Sequence, residues 1–322
     1  MSNETMGLQV PAHFLPSPRT VSPQAQAFLS QRVPTAPSPD AADKAAWKAM
    51  IDESNKWLTI QMQEHAKAFD AEVITHRVGE TEVYEVVPAN LAPCDEKFAI
   101  IYLHGGAFIH GEGIASAYMA MPLACTTSMT ALSVDYRMPP DHPFPIGLDD
   151  CVEAYRWALE RFRPEHIAVA GGSAGGGLTL SLALKLRDLG LPLPGACVIA
   201  TPCADFTQAG DTLETNLYCD AVLSERIDAP LALYANGHDL TDPLLSPVFA
   251  DFTKGFPSSI LTSGTRDALL SDTVRIHRAL CKAGIDAELH VWEAMPHGGF
   301  FGAPEDQEVF EQQARFIRKH LK

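Results

Sequence analysis

Positive charge is scarce in this chain: 24 lysines and arginines stand against 40 aspartates and glutamates in 322 residues, a formal charge of −16. Such a surface repels phosphate backbones and anionic headgroups, which excludes nucleic acid and membranes as expected partners. No apolar run approaches the roughly 20 residues that span a bilayer. Met1 to Val10 lacks the basic stretch and apolar core of a secretory leader, so none is expected. The seven cysteines are odd in number and include no C-x-x-C pair. A disulfide framework is therefore not expected, and reduced thiols in a cytoplasm fit better. No His/Cys/Asp group has metal-ligand spacing. The glycine run Gly175-Gly176-Gly177 lacks the Lys-Ser or Lys-Thr of a phosphate loop. No internal repeat is present. What remains is a chain long enough to bury one large α/β core with an attached cap.

The hydrophobic pattern fills in that outline. Ser22-Pro23 reads as an N-cap with proline at the first helical position, opening a short helix to Leu29. Pro34, Pro37 and Pro39 make a stiff linker. From Ala41 to about Phe69, apolar residues recur at Trp47, Met50, Ile51, Trp57, Leu58 and Met62, the spacing of an amphipathic helix. Its apolar face, with Trp47, Trp57 and Leu58, is expected to anchor a cap. Strands are predicted at Glu72–Val78 and Glu82–Val87, joined as a hairpin through Gly79. Further strands are predicted at Phe98–Leu103, Thr130–Val134, His166–Ala170, Gly195–Ala200, Ser258–Ser263 and Ala287–Trp292. Helical patterns lie between most of them and close the chain from Glu305 to Lys322. This alternation predicts an α/β fold with a mostly parallel sheet flanked by helices. One long segment, Pro202 to Pro257, interrupts the rhythm. With its helical stretch near Ser224 to Ala235, it is a candidate part of a lid.

The chemistry concentrates at Gly171-Gly172-Ser173-Ala174-Gly175, a G-x-S-x-G between a buried strand and a helix. That context makes Ser173 a candidate nucleophile on a strained turn. A serine hydroxyl needs a base, an orienter for the base, and donors for the oxyanion. Among downstream histidines, His277 and His320 fall in helical patterns, His290 in a strand and His238 in the lid segment. His297, in the loop after the last strand, is the candidate base. Asp267, just past the strand Ser258–Ser263, is the candidate orienter. Asp272, one turn further on, is the alternative, more naturally supporting a helix N-terminus. The oxyanion donors are expected at Ala174 and in the loop His104-Gly105-Gly106-Ala107-Phe108. His104 itself reads as a buried histidine that holds this loop.

Taken together, these motifs resemble the bacterial hormone-sensitive-lipase-like carboxylesterases. The likeness rests on the H-G-G-A loop at 104–107 and the G-x-S-A-G-G elbow. It continues at Asp135-Tyr136-Arg137, Pro139, Phe144-Pro145 and Asp242-Pro243-Leu244-Leu245-Ser246-Pro247. It covers roughly Phe98 to the C-terminus. Ala107 replaces a common glycine, Gly172 a frequent aspartate and Ala268 a frequent proline.

The resemblance implies an α/β-hydrolase fold with Ser173, His297 and Asp267 as triad. Gly106, Ala107 and Ala174 would supply the oxyanion amides, with Gly105 shaping the loop. It implies a cap from residues 1–70 and about 203–240 on a catalytic domain spanning 71–322. Asp135-Tyr136-Arg137 would brace the site loops. The expected activity is hydrolysis of short- to medium-chain carboxylic esters through an acyl-enzyme, with no cofactor and a small-molecule ester as partner. A homodimer is left open. Lactone and aryl-formamide hydrolases would use the same triad. A non-catalytic binding protein on this fold would lack the base, which His297 retains.

Overall fold

The computed structural model describes residues 10, 12, 14–33 and 37–322. Most of the stretch read above for a secretory leader, residues 1–9, and Pro34 of the linker lie outside them. In chain order the elements are α1 (Pro23–Leu29), α2 (Lys44–Ala66), β1 (Ala71–Val78), β2 (Thr81–Pro88), β3 (Ala99–Leu103), α3 (Ile114–Thr127), β4 (Thr130–Asp135), α4 (Ile146–Leu159), β5 (Ile167–Gly172), α5 (Ala174–Asp188), β6 (Ala196–Ala200), α6 (Thr212–Thr215), α7 (Asp228–Ala235), β7 (Ser259–Gly264), α8 (Leu270–Lys282), β8 (Ala287–Trp292) and α9 (Pro304–His320). Each strand lies within two residues of its predicted bounds.

The eight strands form one sheet in the order β1-β2-β4-β3-β5-β6-β7-β8. β2 runs antiparallel to both β1 and β4, and every other neighbouring pair is parallel. The central strands are apolar throughout because both their faces are covered. Along β5, Ile167 and Val169 enter one core with Leu148 and Tyr155 of α4, Leu180 of α5 and Ile276 of α8. Ala168 and Ala170 enter the other, with Met121 of α3 and Phe316 of α9. This two-residue alternation splits an unbroken hydrophobic run between two layers. The hairpin turn sits at Gly79, which takes φ 56°.

Two chain segments outside the sheet converge on its carboxyl end. Trp47 and Ile51 of α2 pack on Ile109, beside Ala107 and beside Ala229 and Leu233 of α7. Val21 and Ala25 pack on Ala294, Met295 and Phe300, the loop that carries His297. Ser22 adds hydrogen bonds from its amide and hydroxyl to Glu305, at 2.6 and 2.8 Å. The stripe that α2 buries is Trp47, Ile51 and Asn55. Trp57, expected in the cap anchor, is instead 52 % exposed. Trp47, Ile51 and Asn55 recur every four positions, with Ala66 buried near the helix end, and Trp57 falls off that line. Among the described residues, no helix is long and apolar enough to cross a membrane.

Candidate active site

The candidate residues arrive at the carboxyl ends of neighbouring parallel strands, where open α/β sheets leave a crevice. Ser173 stands between β5 and α5. The 104–108 loop follows β3, which pairs with β5. Thr201 follows β6, Asp267 follows β7 and His297 follows β8.

Ser173 takes φ 57° and ψ −121°. A non-glycine residue there costs about 1–3 kcal/mol and persists only where its surroundings enforce it. The enforcement is visible. The Ser173 amide donates to the Ala200 carbonyl, and its carbonyl accepts from Cys203, both at 3.0 Å. A Cβ at Gly175 would lie 1.9 Å from the Leu103 carbonyl oxygen, and one at Gly171 2.3 Å from that of Gly175. Only glycines let the elbow approach its neighbours this closely.

The Ser173 hydroxyl lies 2.8 Å from Nε2 of His297. Nδ1 of the same ring lies 3.0 Å from Oδ1 of Asp267. Asp267 is fully buried. Its Oδ1 also accepts from the Leu269 amide at 2.8 Å. Its Oδ2 accepts from the hydroxyls of Ser263, at 2.5 Å, and of Thr201. Burial pushes the Asp267 carboxyl up, but the charge of His297 and these hydrogen bonds outweigh it and hold it below the ordinary carboxylate value. Burial likewise opposes a charged His297. The hydrogen bond to Asp267 and the charges of Asp267 and Asp220 prevail, so its pKa lies above the ordinary 6.5. The pair is arranged to accept a proton from Ser173 and to stabilise the imidazolium that results.

The loop after β3 approaches the elbow closely: a Cβ on Gly105 would lie 3.4 Å from the Cβ of Ser173. Gly106 has φ 122°, and Ala107 and Phe108 are both left-handed at 53° and 63°. A Cβ on Gly106 would lie 2.1 Å from the His110 carbonyl oxygen. Among the described residues, none accepts a hydrogen bond from the amides of Gly106, Ala107 or Ala174. The Ala174 amide opens α5, so the helix dipole favours negative charge at the same point. These unpaired donors suit an oxyanion. Gly105 is placed against the elbow, its missing Cβ 3.1 Å from the Gly172 carbonyl oxygen.

The loop is held from three sides. Asn55 of α2 accepts from the Gly111 amide at 2.9 Å and donates to Glu112 at 3.0 Å. The Tyr136 hydroxyl donates to the His104 carbonyl at 2.8 Å. The rings of His104 and Tyr136 stack at 4.1 Å. Burial drives His104 down to about 4, so this histidine is neutral and structural. Arg137 forks onto buried Asp150, and Asp135 accepts from the Gly113 amide at 2.9 Å. Asp135-Tyr136-Arg137 thus braces the loop without facing Ser173.

Asp272 lies in the first turn of α8, as expected of a residue at a helix N-terminus, and its carboxylate also accepts from the amides of Ala204 and Asp205, at 2.9 and 3.0 Å. Burial raises it to about 7. It fastens the start of the 203–240 segment and has no contact with His297. Three residues beside the candidate triad carry no sequence motif: Thr201, Ser263 and Asp220. Thr201 could have been found by the rule that located Asp267, since it directly follows a parallel strand. Asp220 offers no such signal.

A family model for the alpha/beta hydrolase fold matches residues 100–301. An acetyl-hydrolase of Streptomyces hygroscopicus is 32% identical over 224 residues, covering 68% of this chain and 75% of that protein. The crystal structure of an esterase named E25 superposes with a TM-score of 0.90 at 34% identity, covering 98% of this chain and 99% of that one. An esterase from the bacterial hormone-sensitive lipase family superposes at 0.79 with 28% identity, over 94% of this chain and 99% of that one. The chain belongs to the α/β-hydrolase fold family, and within it to the bacterial esterases of the hormone-sensitive-lipase type.

Proposed function

We infer that this protein is a serine carboxylesterase that hydrolyses short- to medium-chain carboxylic esters through an acyl-enzyme. The observation that carries this reading is the unbroken relay from Ser173 through His297 to Asp267, at 2.8 and 3.0 Å, beside a loop and a helix start whose Gly106, Ala107 and Ala174 amides have no acceptor among the described residues. Ser173 attacks the ester carbonyl while Nε2 of His297 takes its proton. The amides of Gly106, Ala107 and Ala174 hold the tetrahedral oxyanion. His297 then protonates the departing alcohol. A water molecule deprotonated by the same nitrogen attacks the acyl-serine and releases the acid.

The packing of α2 and α7 around Ile109 and Ala107 supports a cap built from the N-terminal helices and the 203–240 segment. A cap of two chain segments encloses a finite pocket, which favours soluble esters over long-chain lipid aggregates. Seven unpaired cysteines fit a reducing cytoplasm. The test is the hydrolysis rate of p-nitrophenyl esters from acetate to palmitate, below and above substrate solubility. Activity is expected to peak at short to medium acyl chains with a burst of nitrophenol. A sharp rise on emulsified long-chain esters would overturn the capped-pocket reading.

A further inference from the structure

Asp220 lies in the 203–240 segment, well outside the strand ends that carry the triad, yet only 1 % of its surface is exposed. Its carboxylate is ringed by backbone donors. Oδ1 accepts from the amides of Val222 and Leu223, at 2.9 and 3.1 Å. Oδ2 accepts from the amide of Ala268 at 2.9 Å. The amide of His297 is shared between both oxygens, at 3.2 and 3.1 Å. One carboxylate therefore grips its own loop, the residue after Asp267, and His297. Asn216 reinforces the grip by donating to the carbonyls of Thr265 and Asp267, at 3.1 and 3.0 Å. The N-terminal segment joins at the same place, where the Val33 amide donates to the Ala221 carbonyl at 2.8 Å.

We propose that Asp220 is a positioning residue for the reaction: it ties the acid loop and the base loop together and supplies a second negative charge beside the His297 imidazolium. The proposal rests on the esterase reading above. Asp267 and His297 come from different strands and share only a side-chain bond with each other. The Asp220 carboxylate fixes the backbone on both sides of that bond, so the Nδ1–Oδ1 distance need not be held by side-chain rotamers alone. The charged groups that act on the His297 ring are Asp267 and Asp220, the latter from beside the His297 backbone amide, with the hydroxyls of Thr201 and Ser173 as the ring's polar neighbours. Those facing Asp220 are His297 and Asp267, with Arg266 and Arg32 near the adjoining Cys219. The second carboxylate therefore favours the protonated ring, the form that appears as Ser173 attacks.

Asp220→Asn separates this role from mere packing. An amide is close in shape, but its NH2 end must face an N–H of either Ala268 or the Val222-Leu223 pair. Kinetics are normalised to active sites titrated with an organophosphate, so misfolded molecules are not counted. The expected result is a fall in kcat per titrated site of about 10- to 100-fold, with KM little changed. The acid limb of kcat/KM should move about half a unit to one unit lower, because the imidazolium loses a negative neighbour. Asp220→Glu keeps the charge but displaces the oxygens, so it should restore the acid limb without restoring kcat. Asp220→Asn with the wild-type kcat and acid limb per titrated site would overturn the proposal, even if fewer sites titrate. Failure of the wild-type enzyme to hydrolyse esters or to titrate would instead overturn the esterase reading on which it rests.

Discussion

Thr201 is the most exacting place to test how the acid is held. Its φ of 41° is left-handed, a conformation that β-branched residues avoid. Such strain persists where the surrounding structure demands it. Its hydroxyl donates to Oδ2 of Asp267 and lies 2.9 Å from Nδ1 of His297. Thr201→Val keeps the shape and the β-branch, so the backbone strain stays as it is. Only the hydroxyl is lost, which leaves Ser263 as the sole side-chain donor on Oδ2 and puts a methyl group beside a buried anion. Hydrogen bonds to charged groups are worth about 1.5–3 kcal/mol. If that stabilisation is realised when the imidazolium forms, kcat/KM falls by roughly 10- to 150-fold. Thermal unfolding should shift downward as well, since the buried carboxylate loses a partner. Thr201→Ser retains the hydroxyl and should stay close to wild type in rate. The assay is steady-state hydrolysis of a short p-nitrophenyl ester alongside calorimetry. Wild-type kinetics in Thr201→Val, or equal losses in Val and Ser variants, would refute the reasoning and assign Thr201 to packing alone.

Two predictions separate the neighbouring acids. Asp267→Asn removes the charge that faces the His297 ring and should cost on the order of 10⁴ in turnover; Asp272→Asn should cost far less, and equal losses measured by kcat would mean the wrong carboxylate was assigned. Asp272 has a second signature in stability. Its folded-state pKa, about 7, lies above its unfolded value. The folded chain therefore binds more protons between the two values, and the contribution of Asp272 to stability declines as pH rises through that window. At about 1.4 kcal/mol per unit, Asp272→Asn should be more stable than wild type by a few kcal/mol above pH ~7, and this advantage should vanish below pH ~4. Urea denaturation at both ends checks this, and a gap that grows toward acid would contradict it.

Much of the architecture was legible because the sheet is covered on both faces. Strands such as the predicted His166–Ala170 read as short apolar runs bounded by turn residues, and their shortness and their turn-rich flanks decide for strand over helix. The candidate triad was legible for a different reason. Strand-to-helix elbows and post-strand loops occupy fixed places in this topology, so the G-x-S-x-G motif located Ser173, and chain position with motif match located Asp267 and His297. The α2 helix was less readable. Its apolar positions outline a broad face, yet the structure buries a narrow line of Trp47, Ile51 and Asn55 and leaves Trp57 outside. Asn55 is polar and carries no hydrophobic signal, because its partners are Gly111 and Glu112 more than fifty residues away. The partners of Asp220 and Asp272 were opaque for the same reason. Each carboxylate serves backbone amides from distant segments, and amides leave no mark on a sequence pattern.

The central claim is that Ser173 is the nucleophile of an acyl-enzyme. Its most direct test is intact-mass spectrometry after treatment with an organophosphate, on the wild-type chain and on Ser173→Ala. The relay at 2.8 and 3.0 Å predicts a single adduct on wild type, mapped by proteolysis to Ser173, and none on the variant. An unmodified wild-type chain, or an adduct that persists at equal yield in Ser173→Ala, would contradict it.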